Sequence, residues 1–302
     1  MTENARFSYM LSLLPDKVRA AAAVPVRAGA AIDEIRLRKN GPVMVTVGGK
    51  SFYLSENGAV NFLPEHPFIC DKDLIEKAFM KLCENSVFAH TEEIKNGYIS
   101  VKGGFRAGVC GDFSSGSLSD VTALNIRVAR DICGACGRLP DIFCGGMLIT
   151  GPPGCGKTTV LRDLIKTLSN RGKRIAVIDS RRELSGGAGE YAFDLGVNTD
   201  ILFLADKAKG AEMALRTMFP QVIAFDEIGT EAEINSILEA FNSGVFIITT
   251  AHAGNLTELT ERPVTDRLIN SGILKTVAVM GKNPGDPVRT FDTEEVKHGT
   301  GR

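Results

Sequence analysis

Residues 151 to 158, Gly-Pro-Pro-Gly-Cys-Gly-Lys-Thr, carry three glycines, a lysine and a hydroxyl at the spacing of a phosphate-binding P-loop. Gly151, Gly154 and Gly156 let backbone N–H groups turn toward an anion, and Pro152, Pro153, Cys155 and Thr159 complete the expected nucleotide-binding stretch. Lys157 can reach the β- and γ-phosphates, and Thr158 can offer its hydroxyl to magnesium. The competing reading is a glycine-rich turn that fits by chance. Met147 to Thr150 reads as a short buried strand, and Val160, Leu161, Leu164, Ile165 and Leu168 recur at helical spacing. The loop therefore joins a strand end to a helix start, where the helix dipole favours an anion.

Such a site needs acids on another strand. Val222-Ile-Ala-Phe-Asp-Glu227 is an apolar run ending in two carboxylates and reads as a Walker B strand. Asp226 is expected in the magnesium shell, and Glu227 is expected to orient or deprotonate the attacking water. The plain alternative is a strand end entering an acidic turn. Val245 to Thr250 is a further apolar run, delivering His252 to the same edge as a γ-phosphate sensor or as a structural hydrogen-bonding residue. Arg174 to Asp179 is another strand ending in an acid, followed by Arg181, Arg182 and Glu183, whose carboxylates either face nucleotide or neutralise the arginines. The expected ligands are ATP and Mg²⁺.

These elements need a scaffold, and 302 residues exceed what one core usually serves. The texture changes along the chain. Before the P-loop, a helix is expected over Leu11 to Ala23, strands over 32–38, 42–47 and 50–54 with Gly48-Gly49 as a hairpin turn, and a helix over Asp71 to Asn85. Further strands are expected over 98–101, 106–110 and 124–129. The organisation expected is an α+β N-terminal domain over 1–135, a linker over 136–146, and an α/β P-loop domain that alternates strands and helices over 147–302. There is no internal repeat.

With 35 Lys and Arg against 36 Asp and Glu, the formal charge of −1 gives no general attraction for nucleic acid and leaves room only for a local basic patch. No apolar stretch nears the ~20 residues that span a bilayer, no secretory signal opens the chain, and no segment reads as an amphipathic membrane anchor. A cytoplasmic protein, reaching a membrane only through partners, is expected. The seven cysteines are expected to be reduced thiols. Cys133 and Cys136 lack the further ligands of a metal site and read as small buried thiols, while Cys155 is a point where alkylation would block nucleotide.

Arg36 and Arg38 alternate with apolar residues, and Arg127 and Arg130 flank Val128, so they belong on a sheet face. Together with Arg106, Arg127 and Arg130 are candidate arginine fingers; a solvated face or internal ion pairs is the alternative.

Glu34-Ile-Arg-Leu-Arg38, Gly104-Phe-Arg-Ala-Gly108, Asn125 to Arg130, the P-loop, Ala214 to Thr230 and Thr249-Thr-Ala-His252 together resemble the secretion-type ATPases of type II and type IV systems. The resemblance is closer to the stage III sporulation AA family of endospore-forming bacteria, and it spans nearly the whole chain. It implies a homo-oligomeric, hexameric ring whose N-terminal domain moves against a RecA-like domain. The ring would power a membrane channel complex between mother cell and forespore. By analogy Lys157, Thr158, Asp226 and Glu227 keep their P-loop roles, Glu183 supports catalytic water or metal, and His252 reports γ-phosphate. Ser180 stands where the family has a second acid beside Asp179, and Asn198 where it has an arginine; the first bears on the metal shell and the second on the site or interface.

Other classes fit less well. Leu184-Ser-Gly-Gly-Ala188 resembles the ABC signature loop but follows the P-loop too closely. A GTPase would need an Asn-Lys-x-Asp segment, which is absent, and a small-molecule kinase would need an arginine-rich lid. A nucleotide-switched nucleic-acid-binding protein is the alternative with most weight.

Overall fold

The computed structural model describes residues 3–114, 117–128, 131–187, 192–204, 206–242 and 244–297. The chain forms two compact units, one of residues 1–130 with 186–193, the other of residues 131–185 with 194–302. The return of 186–193 to the first unit has no signature in the sequence.

In the first unit, α1 (Glu3–Ser12) and α2 (Asp16–Arg27) replace the single helix expected over Leu11 to Ala23. Pro15 lies between them, and its fixed φ and missing N–H explain the break. The strands are β1 (Ile32–Arg38), β2 (Gly41–Pro42), β3 (Met44–Val47), β4 (Lys50–Leu54), β5 (Val60–Asn61), β6 (Ile69–Cys70), β7 (Tyr98–Val101), β8 (Phe105–Ser114) and β9 (Ser117–Arg127). Seven of them form a sheet in the order β5-β4-β3-β1-β9-β8-β7, with β2 and β6 pairing separately. The run expected over 42–47 is thus split between two sheets. Helix α3 (Lys72–Leu82) starts where the Asp71 carboxylate accepts the Leu74 N–H at 2.8 Å. It ends short of the expected Asn85, since Glu84 and Asn85 both take left-handed φ. The short α4 (Thr91–Lys95) follows. Ile35, Leu37, Leu124, Ile126 and Ala107 fill the core from one face of the sheet, as period-two alternation dictates. Across β1, β9 and β8 on the other face, Glu34, Arg127 and Arg106 stand opposite one another.

The second unit adds α5 (Leu139–Ile142), β10 (Gly146–Gly151), α6 (Lys157–Asn170), β11 (Ile175–Ile178), β12 (Thr199–Leu202), α7 (Lys207–Thr217), β13 (Val222–Glu227), α8 (Glu231–Asn242), β14 (Phe246–His252), α9 (Leu256–Glu261), α10 (Pro263–Asn270), β15 (Leu274–Val279), β16 (Arg289–Asp292) and α11 (Thr293–Lys297). Its sheet runs β12-β11-β13-β14-β10-β15-β16, parallel throughout except for β16. Parallel strands are covered on both faces, and β10 and β11 are accordingly buried along their whole length. Their shared direction brings every carboxyl end to one edge. Register then sets neighbours: Gly151 lies opposite His252, and Glu227 opposite Thr250 past an irregularity after Ala224.

Candidate functional site

β10 delivers Gly151 to the carboxyl edge, and the loop that follows turns through left-handed Gly154 (φ 77°) and Gly156 (φ 98°) into α6. Gly151 is held to glycine by space, since a Cβ there would stand 2.7 Å from Cys155 Sγ. Cys155 itself is fully buried, with its Sγ close against Gly151, so the thiol at which alkylation would block nucleotide is shielded in this structure. Pro152 is partly buried and Pro153 exposed at the tip; Thr158 and Thr159 in the first turn of α6 are half-buried.

Lys157 Nζ donates to the Gly151 and Pro152 carbonyls at 2.9 Å each and lies 2.9 Å from His252 Nδ1. Burial lowers the pKa of this ammonium, against the opposing charges of Cys155, Glu227 and Asp226. Because lysine only donates, Nδ1 of His252 is the acceptor and Nε2 carries the ring proton toward Glu227 Oε1, 3.7 Å away. Lys157 at the start of α6, His252 at the end of β14 and Glu227 at the end of β13 thus form one polar chain.

Thr158 donates its hydroxyl to Asp226 Oδ1 at 3.2 Å, and the Thr250 hydroxyl donates to the Asp226 carbonyl. Although part of the surface of Asp226 is accessible, protein closes around the carboxylate. Burial, then the charges of Glu183 and Asp179, push its pKa up to about 7, with Thr158 and Lys207 pulling the other way. A hydroxyl beside crowded carboxylates is a hard-oxygen donor set, which fits Mg²⁺. Successive backbone turns of positive φ ahead of a helix fit a polyphosphate.

Asp179 is 1% exposed. Its Oδ1 accepts the Glu183 N–H at 3.0 Å, and its Oδ2 accepts both the N–H and the hydroxyl of Ser185 at 2.7 Å. The carboxylate builds the turn that carries Glu183 toward Asp226. Arg162, buried on α6, clamps the same turn by donating to the Leu184 and Glu183 carbonyls at 2.9 and 2.8 Å. A helical arginine in an amphipathic pattern reads as solvent-facing, so sequence reasoning passed over it. Beside it, Asp163 accepts the Gly134 and Cys136 N–H groups at 3.1 and 2.9 Å.

The structure therefore brings Lys157, Thr158, Glu183, Asp226, Glu227 and His252 to one strand edge. Arg106 and Arg127 belong to the first unit, where Arg106 lies 3.9 Å over the Tyr98 ring and Arg127 is exposed; Arg130 and Ala188 lie outside the described residues. Asn198 is at the amino end of β12, bonded to Ser169, so its departure from the family pattern takes nothing from this edge. All seven cysteines are free; Cys136 is buried, but Cys133 is exposed, unlike the buried pair expected. Among the described residues no helix is long and apolar enough to cross a membrane.

Comparison with known proteins gives a consistent picture. The profile of the family described as sporulation stage III, protein AA, matches residues 6–296. Stage III sporulation protein AA of Bacillus subtilis (strain 168) is 34% identical over 303 residues, 93% of this chain and 94% of that protein. The X-ray structure of the Yersinia pseudotuberculosis ATPase DotB aligns with a TM-score of 0.65 at 14% identity, covering 95% of this chain and 86% of that one. The crystal structure of the pilus retraction motor PilT with bound ADP gives 0.59 at 17% identity, over 93% and 86%. At these identities the structural likeness establishes the fold, a RecA-like P-loop architecture.

Proposed function

The chain belongs to the sporulation stage III, protein AA family, and from that premise we propose that it is a magnesium-dependent ATPase acting as a secretion-type motor in sporulation. The observation that carries this reading is the convergence of Lys157, Thr158, Asp226, Glu227 and His252 on one sheet edge. In this reading the domains run over 1–135 and 147–302, joined by 136–146. Six copies form a ring, with Arg106, Arg127 or Arg130 completing the sites as fingers. The ring works at the cytoplasmic face of the membrane, held there by membrane proteins of a channel between mother cell and forespore.

The chemistry follows from the side chains. The backbone of 151–156 and the N-terminus of α6 receive the phosphates of ATP, and Lys157 exchanges its two carbonyl partners for phosphate oxygens. Thr158 and Asp226 would hold magnesium, which when bound neutralises charge on the β- and γ-phosphates. Glu227 orients the attacking water in line, with Glu183 supporting it. His252, between Lys157 and Glu227, senses whether the γ-phosphate is present, because a shift of Lys157 changes what its Nδ1 meets. Such differential contact is what allows a nucleotide to bias two domain arrangements.

The test is magnesium-dependent phosphate release by the purified full chain, beside Lys157→Ala and Glu227→Gln. Hydrolysis lost in both, with ATP binding lost only in Lys157→Ala, supports the reading. Hydrolysis that survives Glu227→Gln would remove the assigned base.

A further inference from the structure

The strand end that carries Glu227 is followed by Ile228-Gly229-Thr230, and something must hold that turn for the carboxylate to keep its direction. Two structures do so. The first is a capping box at the start of α8: the Thr230 hydroxyl accepts the Glu233 N–H at 3.3 Å, while Glu233 Oε2 accepts the N–H groups of Gly229 and Thr230 at 2.9 Å each. Burial opposes charge on Glu233, yet the Gly229 N–H, the Lys207 ammonium and the Thr230 groups together hold its pKa below the ordinary value. It is therefore an anion at neutral pH.

The second is Lys207, the first residue of α7. Its ammonium donates to the Glu227 carbonyl oxygen and lies 3.4 Å from Glu233 Oε1, with the two side chains only 13% and 17% exposed. The placement is built in from below. Asp206 caps α7 by accepting the Lys209 N–H at 3.1 Å. Gly210, where a Cβ would come within 2.7 Å of Ile178 Cγ2, lets the helix lie close on β11. One cation thus ties the peptide of the acid at the end of β13 to the cap of α8.

Resting on the ATPase reading above, we propose that Lys207 is a positioning residue for Glu227, fixing the backbone from which its carboxylate is aimed. It need not touch substrate. A lysine is suited to this, since its three donors can serve a carbonyl and a carboxylate at once, and a misplacement of ~1 Å in a catalytic group costs on the order of a hundredfold in rate. The role differs from that of Lys157, whose partners are the P-loop carbonyls and His252.

The experiment uses the full-length protein and compares Lys207→Met, Lys207→Arg, Glu233→Gln, Glu227→Gln and the Lys207→Met/Glu227→Gln double variant. Each is measured for kcat, for affinity toward a fluorescent ATP analogue, and for thermal midpoint. The expected result for Lys207→Met is a fall in kcat on the order of tenfold to a hundredfold, with analogue affinity within about threefold of the parent and partial rescue by Lys207→Arg. Glu233→Gln, which leaves the contact to the Glu227 carbonyl in place, should lose less and stands in for Lys207→Met if that variant does not fold. In the Glu227→Gln background, where hydrolysis is already lost, Lys207→Met should leave analogue affinity within about threefold of the single variant, because it acts through the carboxylate and not on the nucleotide. An unchanged kcat in Lys207→Met, a loss of analogue affinity in the double variant, or equal losses of affinity and kcat in Lys207→Met would overturn the proposal. A parent with no hydrolysis would instead defeat the ATPase reading on which it rests.

Discussion

Replacing Asp226 with Asn should make the magnesium-free protein more stable, and increasingly so as pH rises. The carboxylate sits among Glu183 and Asp179, and burial followed by those charges moves its pKa from the ordinary 3.8 to about 7. An acid whose folded-state pKa is raised holds its proton more tightly in the native state. Its contribution is therefore fully present below the unfolded value and is lost as pH climbs from about 4 through 7. At ~1.36 kcal/mol per pH unit, the full displacement corresponds to about 4 kcal/mol. Between about pH 5 and pH 8 the part recovered by Asn, which carries no charge and can still accept the Thr158 hydroxyl, is about 2 to 3 kcal/mol. The assay is denaturant unfolding of parent and Asp226→Asn in chelator at several pH values. A difference that does not grow with pH, or a variant less stable than the parent at about pH 8, would refute the reasoning that crowded acids strain this site.

Maleimide labelling of the native protein at neutral pH should modify Cys110, Cys133 and Cys144 and spare Cys70, Cys83, Cys136 and Cys155, following exposure; mass spectrometry of the digest checks this, and Cys136 is further protected because burial and then Asp163 push its thiol up to about 12. Gly151→Ala, whose Cβ would approach Cys155 Sγ at 2.7 Å and Met280 Cβ at 3.0 Å, should weaken ATP binding at least about tenfold by displacing the loop backbone, measured by titration with a fluorescent analogue. Arg162→Met should leave two buried carbonyls without their charged donor and cost about 1.5 to 3 kcal/mol in denaturant unfolding; a loss under about 0.5 kcal/mol would show that the 179–185 turn stands without this clamp.

Local pattern made much of the scaffold legible. Ile32–Arg38, Lys50–Leu54 and Tyr98–Val101 follow alternation that is interrupted only by turn residues, and the P-loop carries its geometry in its own glycines. What escaped depended on contacts distant in sequence. Arg162 and Asp163 lie on a helix whose pattern assigns them to solvent, and only the neighbouring turn and the Gly134 to Cys136 segment give them buried partners. Lys207 sits twenty residues before the carbonyl it serves. The excursion of 186–193 into the first unit has no periodic signature at all, being marked by close packing of Gly186 and Phe193 on Gly104. Thr230 and Glu233, by contrast, spelled a capping box that could have been read directly. Pro15 was an equally plain signal that one helix would become two.

The central claim is that nucleotide hydrolysis occurs at the strand edge bearing Lys157, Asp226 and Glu227 and that its full rate needs a neighbouring copy. Magnesium-dependent ATP hydrolysis per chain, followed over a wide range of protein concentration with Lys157→Ala and Glu227→Gln alongside, tests it most directly. The expected result is a specific rate that rises with concentration in the parent and is lost in both variants. A substantial rate that is flat with concentration would contradict sites completed between copies, and failure of the parent to bind ATP would contradict the account at its root.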